Sequence, residues 1–102
     1  MKCYRFKHKL TGLYFCRSRT IRFNVKIPNG KTIRVYVKSN LSKNGKIYPR
    51  LPNWKWLKCG IYDHVTLKQG LLDGSIDNYW SGYYTESKVL RFNQSDWELE
   101  EL

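Results

Sequence analysis

The chain has 102 residues, 19 of them Lys or Arg against 8 Asp or Glu, for a formal net charge of +11, and 16% of it is aromatic. The expected organisation is a single domain, 1–102, large enough to bury a core without metals or disulfides. No run approaches the ~18 apolar residues of a helical membrane span, so no membrane partner is expected, and a positive field that repels itself in the folded state points to an anionic ligand.

The charge is segregated along the chain. A basic half, 1–58, carries 16 Lys and Arg, and no Asp or Glu occurs from Met1 to Tyr62. An acidic half, 59–102, holds all eight acids beside only Lys68, Lys88 and Arg91. Solubility alone would be served by mixed charge, whereas clustered cations are the footprint of a polyanion site.

In chain order, Tyr4, Phe6, His8 and Leu10 alternate with Arg5, Lys7 and Lys9, the period of two of a half-buried strand. Thr11-Gly12 reads as a turn and Leu13 to Cys16 as the returning strand. Ile21, Phe23, Val25 and Ile27 then alternate with Arg22, Asn24 and Lys26, and Ile33, Val35 and Val37 with Arg34, Tyr36 and Lys38. A two-residue Asn29-Gly30 turn between them would pair Lys26 with Ile33 and put a lysine on the apolar side, which register parity forbids. A three-residue loop is predicted instead, with Pro28 and Asn29 in a type I turn and Gly30 left-handed. It sets Val25 opposite Ile33, Phe23 opposite Val35 and Ile21 opposite Val37, and gathers Arg22, Lys26, Arg34 and Lys38 on the other side.

Lys43-Asn44-Gly45-Lys46 predicts a tight turn between short extended pieces within 40–48. Asn53 is placed to cap a helix through Trp54, Leu57, Ile61 and Val65, broken at Gly60 and resuming toward Gln69. On that helix Trp54 packs and Trp56 is exposed. Leu71-Leu72-Asp73-Gly74 reads as an element end and turn, Tyr79 to Tyr84 as strand or aromatic loop, 88–92 as a strand, and Trp97 with Leu99 as a last strand or short tail. The fold class that follows is α+β: a mainly antiparallel sheet of four to six strands with one or two helices on one face.

Parts for catalysis are few, and the chain is read as non-enzymatic. His8 falls on the aromatic side of the first strand, where a satisfied, half-buried imidazole is expected, and Asp63-His64 has no nucleophile at a telling spacing. A metal-independent nuclease would need the fold to unite His8, His64 and a lysine. No Walker A, HExxH or Cys-x-x-Cys pattern is present, so neither metal nor cofactor is expected. The odd set Cys3, Cys16 and Cys59 suits a reducing compartment, and the opening Met1 to Lys7 lacks the apolar region of a signal peptide, which together predict a cytoplasmic protein.

Single strands of nucleic acid are held by cations on phosphates and aromatic rings under bases. Tyr36, between Arg34 and Lys38 and opposite Arg22, is therefore either a stacking platform or a β-former filling an edge position. Arg5, Lys7, Lys9, Arg17, Arg19, Lys43 and Lys46 extend the predicted surface around Arg22, Lys26, Arg34, Tyr36 and Lys38.

Thr11-Gly12-Leu13-Tyr14-Phe15, the run Lys38 to Tyr48 with its Ser42-Lys43-Asn44-Gly45-Lys46 turn, and the closing Asp96-Trp97-Glu98-Leu99-Glu100-Glu101 resemble the small accessory proteins of T4-like bacteriophages. Those proteins open on a Thr-Gly-Leu-Tyr or Thr-Gly-Leu-Phe hairpin, continue to a Ser-Lys-x-Gly-Lys turn and end on an acidic strand. The likeness lies in framework motifs, and no site residue is carried over from it. It implies host takeover or counter-defence in the host cytoplasm. Because such proteins include a basic, RNA-binding inhibitor of ToxN-type endoribonuclease toxins, it also implies RNA binding coupled to inhibition of a host endoribonuclease toxin or another host factor. The alternative is an inhibitor that docks on an acidic or nucleic-acid-binding host protein without binding RNA itself. The C-terminal acids either neutralise basic strands within one chain or meet the basic half of a second copy in a salt-sensitive self-association.

Overall fold

The computed structural model describes residues 2–76, 83–84 and 89–102. Its frame is a five-stranded sheet whose strands lie in the order Tyr83–Tyr84 (β5), Thr32–Ser42 (β3), Tyr14–Lys26 (β2), Tyr4–His8 (β1) and Trp97–Glu101 (β7), antiparallel except where β5 joins β3, beside a two-stranded sheet of Ile61–Tyr62 (β4) and Val89–Leu90 (β6) and one α-helix. The α+β class and the mainly antiparallel sheet are as the alternation predicts.

The first hairpin pairs β1, Tyr4–His8, with β2, Tyr14–Lys26. Phe6 and His8 are buried between the outward Arg5 and Lys7. The imidazole of His8 is buried completely rather than by half. Its Nδ1 meets Thr11 Oγ1 at 2.9 Å and its ring lies 4.7 Å from that of Trp97, but Nε2 has no partner among the described residues. Burial accordingly pushes its pKa below the usual value.

The second hairpin joins β2 to β3, Thr32–Ser42. The amide of Gly30 donates to Ile27 O at 3.0 Å, closing the turn, and Gly30 stands at φ 90°, where a side chain would be strained. The register is the predicted one, Val25 on Ile33, Phe23 on Val35 and Ile21 on Val37. At about 3.3 Å per residue, the 13 residues of β2 reach about 43 Å, which accounts for most of the 50 Å long axis.

Pairing slips once. Phe15 faces Leu41 and Arg19 faces Ser39, so Cys16, Arg17 and Ser18 bulge opposite the single residue Asn40. Asn40 is buried and clamps the bulge: its amide donates to Cys16 O at 3.2 Å, and its Oδ1 accepts from Tyr62 N at 2.9 Å. Residues 40–42, expected as a separate extended piece, are thus the end of β3.

The predicted helix from Asn53 is only a 3-10 turn, Trp54–Leu57, although Asn53 does cap it by accepting from Lys55 N at 2.9 Å. Trp54 packs on Phe6, 4.9 Å away, and Trp56 is exposed. Gly60, at φ 91°, turns the chain into β4, Ile61–Tyr62, before the helix proper, α1, His64–Asp73. Asp63 caps α1 by accepting from Val65 N and Thr66 N, and Gly74 ends it in the left-handed conformation. The helix therefore resumes three residues beyond the break and runs past Gln69 through Leu71 and Leu72.

The short β5, Tyr83–Tyr84, lies parallel to β3, and β6, Val89–Leu90, pairs with β4. The rest of the expected 79–84 and 88–92 segments falls partly outside the described residues. Trp97–Glu101 is a strand, β7, along the free side of β1 rather than a tail.

Two apolar clusters hold this frame. One joins Val25, Ile33, Val35 and Val37 to Leu67 and Leu71 of α1; the other joins Phe6, Leu41, Tyr48, Leu57, Ile61 and Trp97. Asn40 ties the sheet to β4 between them. Asn40→Ala should strand the Cys16 carbonyl and the Tyr62 amide and cost about 1–3 kcal/mol, read as a lower urea midpoint at unchanged slope.

Candidate nucleic-acid interface

Below the bulge, odd-numbered residues of β2 and β3 enter the core under α1, so the even-numbered ones face away from it. Arg22 and Lys26 of β2 thereby share one side with Arg34, Tyr36 and Lys38 of β3. All four cations are exposed and Tyr36 is half-buried. Register places every cation beside a neutral partner: Arg22 with Tyr36, Arg34 with Asn24, Lys38 with Thr20 and Lys26 with Thr32. Directly opposed like charges destabilise a sheet, and this stagger concentrates four of them without one such pair. A hollow of about 290 Å³ opens between Arg22, Asn24, Arg34 and Tyr36. Neither strand contains a carboxylate.

The other predicted contacts are distributed elsewhere. Arg5 and Lys7 point to the same side of the sheet but lie beside β7, where Arg5 pairs with Glu100 and Lys7 with Glu98. The Arg5 guanidinium donates to Glu100 Oε1 at 2.6 and 2.9 Å and stacks 3.7 Å over the Tyr14 ring, whose hydroxyl donates to Glu100 Oε2 at 2.9 Å. This contact, first of all the hydrogen bond from Arg5, holds the Glu100 carboxyl below its usual range. Lys2 meets Glu101 at 3.4 Å, and Lys9 Nζ donates to Ser95 O at 3.4 Å. Arg5 is thus answered by an acid of the last strand within one chain and Lys7 lies beside another, whereas β2 and β3 carry no acid of their own.

Arg17 is exposed on the bulge, and Lys43 and Lys46 lie at the turn after β3, Lys46 Nζ standing 5.1 Å over the Tyr48 ring. Arg19 departs from the predicted surface. It faces Ser39 in the same register as Ile21 on Val37, on the helix side of the sheet, where it lines a separate cavity with Lys43 and His64. Alternation carried two residues back from Ile21 already assigns Arg19 to the apolar side, a signal the reading of the basic residues as one surface passed over. Two residues escaped the sequence reading. Asn24, which spaces Arg22 from Lys26, was recoverable from the alternation, whereas His64 was visible only as the residue after Asp63. His8, sealed in the core, is out of a ligand's reach and forms no common accessible site with His64.

Among the described residues no helix is long and apolar enough to cross a membrane, and Cys3, Cys16 and Cys59 are unbridged.

Because the folded pKa of Glu100 is depressed, its contribution to stability is present above the ordinary glutamate value and lost as pH falls through the folded one. Glu100→Gln should therefore be less stable than the parent at pH 7, with the difference closing below about pH 4.5, as urea unfolding across that range would read. No protein-family model, curated protein or solved structure matches the chain.

Proposed function

We propose that this protein binds RNA, holding unpaired segments against the outer side of the β2–β3 hairpin and acting by occupancy rather than by chemistry on its ligand. The observation that carries this reading is the face itself: Arg22, Lys26, Arg34 and Lys38 around Tyr36, with no carboxylate in either strand. Cations spaced along a sheet capture phosphates and release counterions, and a tyrosine ring among them offers a π-face to any base. A strand surface with an aromatic at its centre suits splayed bases better than the grooves of a duplex. Lys46 prolongs the path at one end of the hairpin, whereas Lys43 belongs to the helix-side cavity. Arg5 contributes little, its charge being engaged by Glu100, while Lys7 lies beside Glu98 and Lys9 is tethered to Ser95 O. In the setting that the likeness to phage accessory proteins implies, such occupancy would inhibit a host defence factor, a toxin endoribonuclease being one candidate, in the host cytoplasm.

Nuclease-treated protein should bind labelled single-stranded RNA more tightly than duplex RNA or duplex DNA. If the four face cations each neutralise one phosphate, the log–log salt slope for single strands should be about −3. Glutamates at Arg22, Lys26, Arg34 and Lys38 should weaken binding to all sequences alike and flatten that slope, whereas Tyr36→Ala should cost about 1–3 kcal/mol and leave it unchanged. Unaltered affinity in the fourfold variant would assign binding to another surface. Capture of an acidic host protein that survives nuclease treatment, without RNA affinity, would make the face a protein-docking surface instead. With the acids of β7 engaged on β1, the nucleic-acid-free protein should sediment as a monomer at both low and high salt.

A further inference from the structure

The helix side of the sheet carries a second, independent concentration of polar groups. Along β3 the buried series Val37, Ser39, Leu41 is apolar except at Ser39, whose side chain is wholly enclosed. Its Oγ accepts from Leu41 N at 3.1 Å and lies 2.6 Å from His64 Nδ1. Phe23, its ring 6.4 Å from that of His64, flanks the imidazole. With Nδ1 held by a buried hydroxyl, the ring is oriented and Nε2 remains available to an outside partner.

His64 borders an open cavity of about 570 Å³, inside the range of about 300–1,000 Å³ typical of small-molecule sites. Arg19 reaches it from the regular part of β2, and Lys43 and Asn44 from the turn after β3, with Leu13 and Leu41 as apolar wall. Arg19 makes a single hydrogen bond to the described protein, to Leu41 O at 3.3 Å, which leaves most of its five N–H donors for a ligand. Among the described residues no acid lines the cavity. The nearest in sequence, Asp63, is buried and occupied in capping α1, accepting from Val65 N, Thr66 N and the Thr66 hydroxyl. A fixed imidazole, a guanidinium, an ammonium and a side-chain amide around one cavity make up the donor set that recognises a tetrahedral oxyanion.

We infer that this cavity is a phosphate-binding site, distinct from the β2–β3 outer face, in which Arg19 and Lys43 supply charge while His64 Nε2 and the Asn44 amide orient the phosphate oxygens. A buried Ser39 accommodates either state of the ring, donating to neutral Nδ1 or accepting from Nδ1–H while its own proton turns to Leu41 O, 3.3 Å away. Burial, with Arg19 and Lys68 nearby, lowers the pKa of His64 against the opposing pull of Asp63. Lys43 faces it across the cavity. A bound dianion would reverse that balance, so the imidazole should become easier to protonate when the site is filled.

The test is a titration of the intact, nuclease-treated protein with inorganic phosphate, exchanged for chloride at constant ionic strength and followed by the His64 ring signals in NMR. Saturable shifts at His64 and a raised His64 pKa at saturation are expected. Arg19→Gln should weaken phosphate at least about tenfold, while Lys58→Gln, an exposed cation away from the cavity, should leave it unchanged. Parallel titrations with a nucleoside 5′-monophosphate and with the nucleoside alone identify the source: a tighter monophosphate assigns a nucleotide end, and equal affinities assign free phosphate. Shifts that fail to saturate in the unmodified protein, an unmoved His64 pKa, or equal losses in the Arg19 and Lys58 variants would overturn the site. Because the readout is His64 on the helix side, its failure leaves RNA binding by the opposite face undecided, and the reverse also holds.

Discussion

Paired strands present alternate residues to opposite sides, and a slip of one residue exchanges those sides entirely. In the β2–β3 hairpin this parity is set by the Pro28-Asn29-Gly30 loop at one end and kept through the bulge at the other, where three residues of β2 pass the single Asn40 and the two extra residues leave each side unchanged. The loop sends Arg22, Lys26, Arg34 and Lys38 outward and Arg19 to the helix side. Asn40 bonds both the bulge and β4, so it couples β2 to the element that leads into α1.

The electrostatic design has a similar economy. A chain with 19 cations cannot fold comfortably unless some are answered, and three of the acids, all of which lie beyond Tyr62, return on β7 to the first strand. Arg5 and Glu100, with side chains 22% and 28% exposed, are sheltered enough for the contact to be less screened than a surface pair. The result is one side of the sheet that runs from an acidic strand through β1, where Arg5 is paired, to a hairpin whose own strands hold no acid. Any polyanion approaching that side meets a gradient that favours β2 and β3.

Much of this was legible in the sequence. The strict alternation from Ile21 to Lys38 and the impossibility of a lysine among Ile33, Val35 and Val37 were sufficient to choose the loop length, the register and the charged face. The bulge was not legible, because its partner Asn40 reads locally as an ordinary strand or turn residue and acts through Tyr62, far along the chain. The helix was placed too early because Trp54, Leu57 and Ile61 have helical spacing; Gly60 and the cap at Asp63 override it, and tertiary burial of Ile61 beside Leu90 supplies the strand instead. The pairing of β1 with β7 is a long-range contact that charge complementarity suggested without specifying register. His64 escaped because its partner Ser39 lies 25 positions earlier on β3, and the two meet only once α1 has packed on the sheet.

The junction of the first and last strands also has a temporal meaning. Arg5 and Glu100 are separated by 95 positions, so that contact cannot form until nearly the whole chain is available. The β1–β2–β3 meander can collapse locally much sooner, but β1 then has one open edge and its cations lack partners. During synthesis the basic half would leave the ribosome first, among RNA, with its neutralising acids still untranslated. Docking of β7 closes that edge and pairs Arg5, so the order in which the chain is made separates the appearance of this charge from the appearance of its partner.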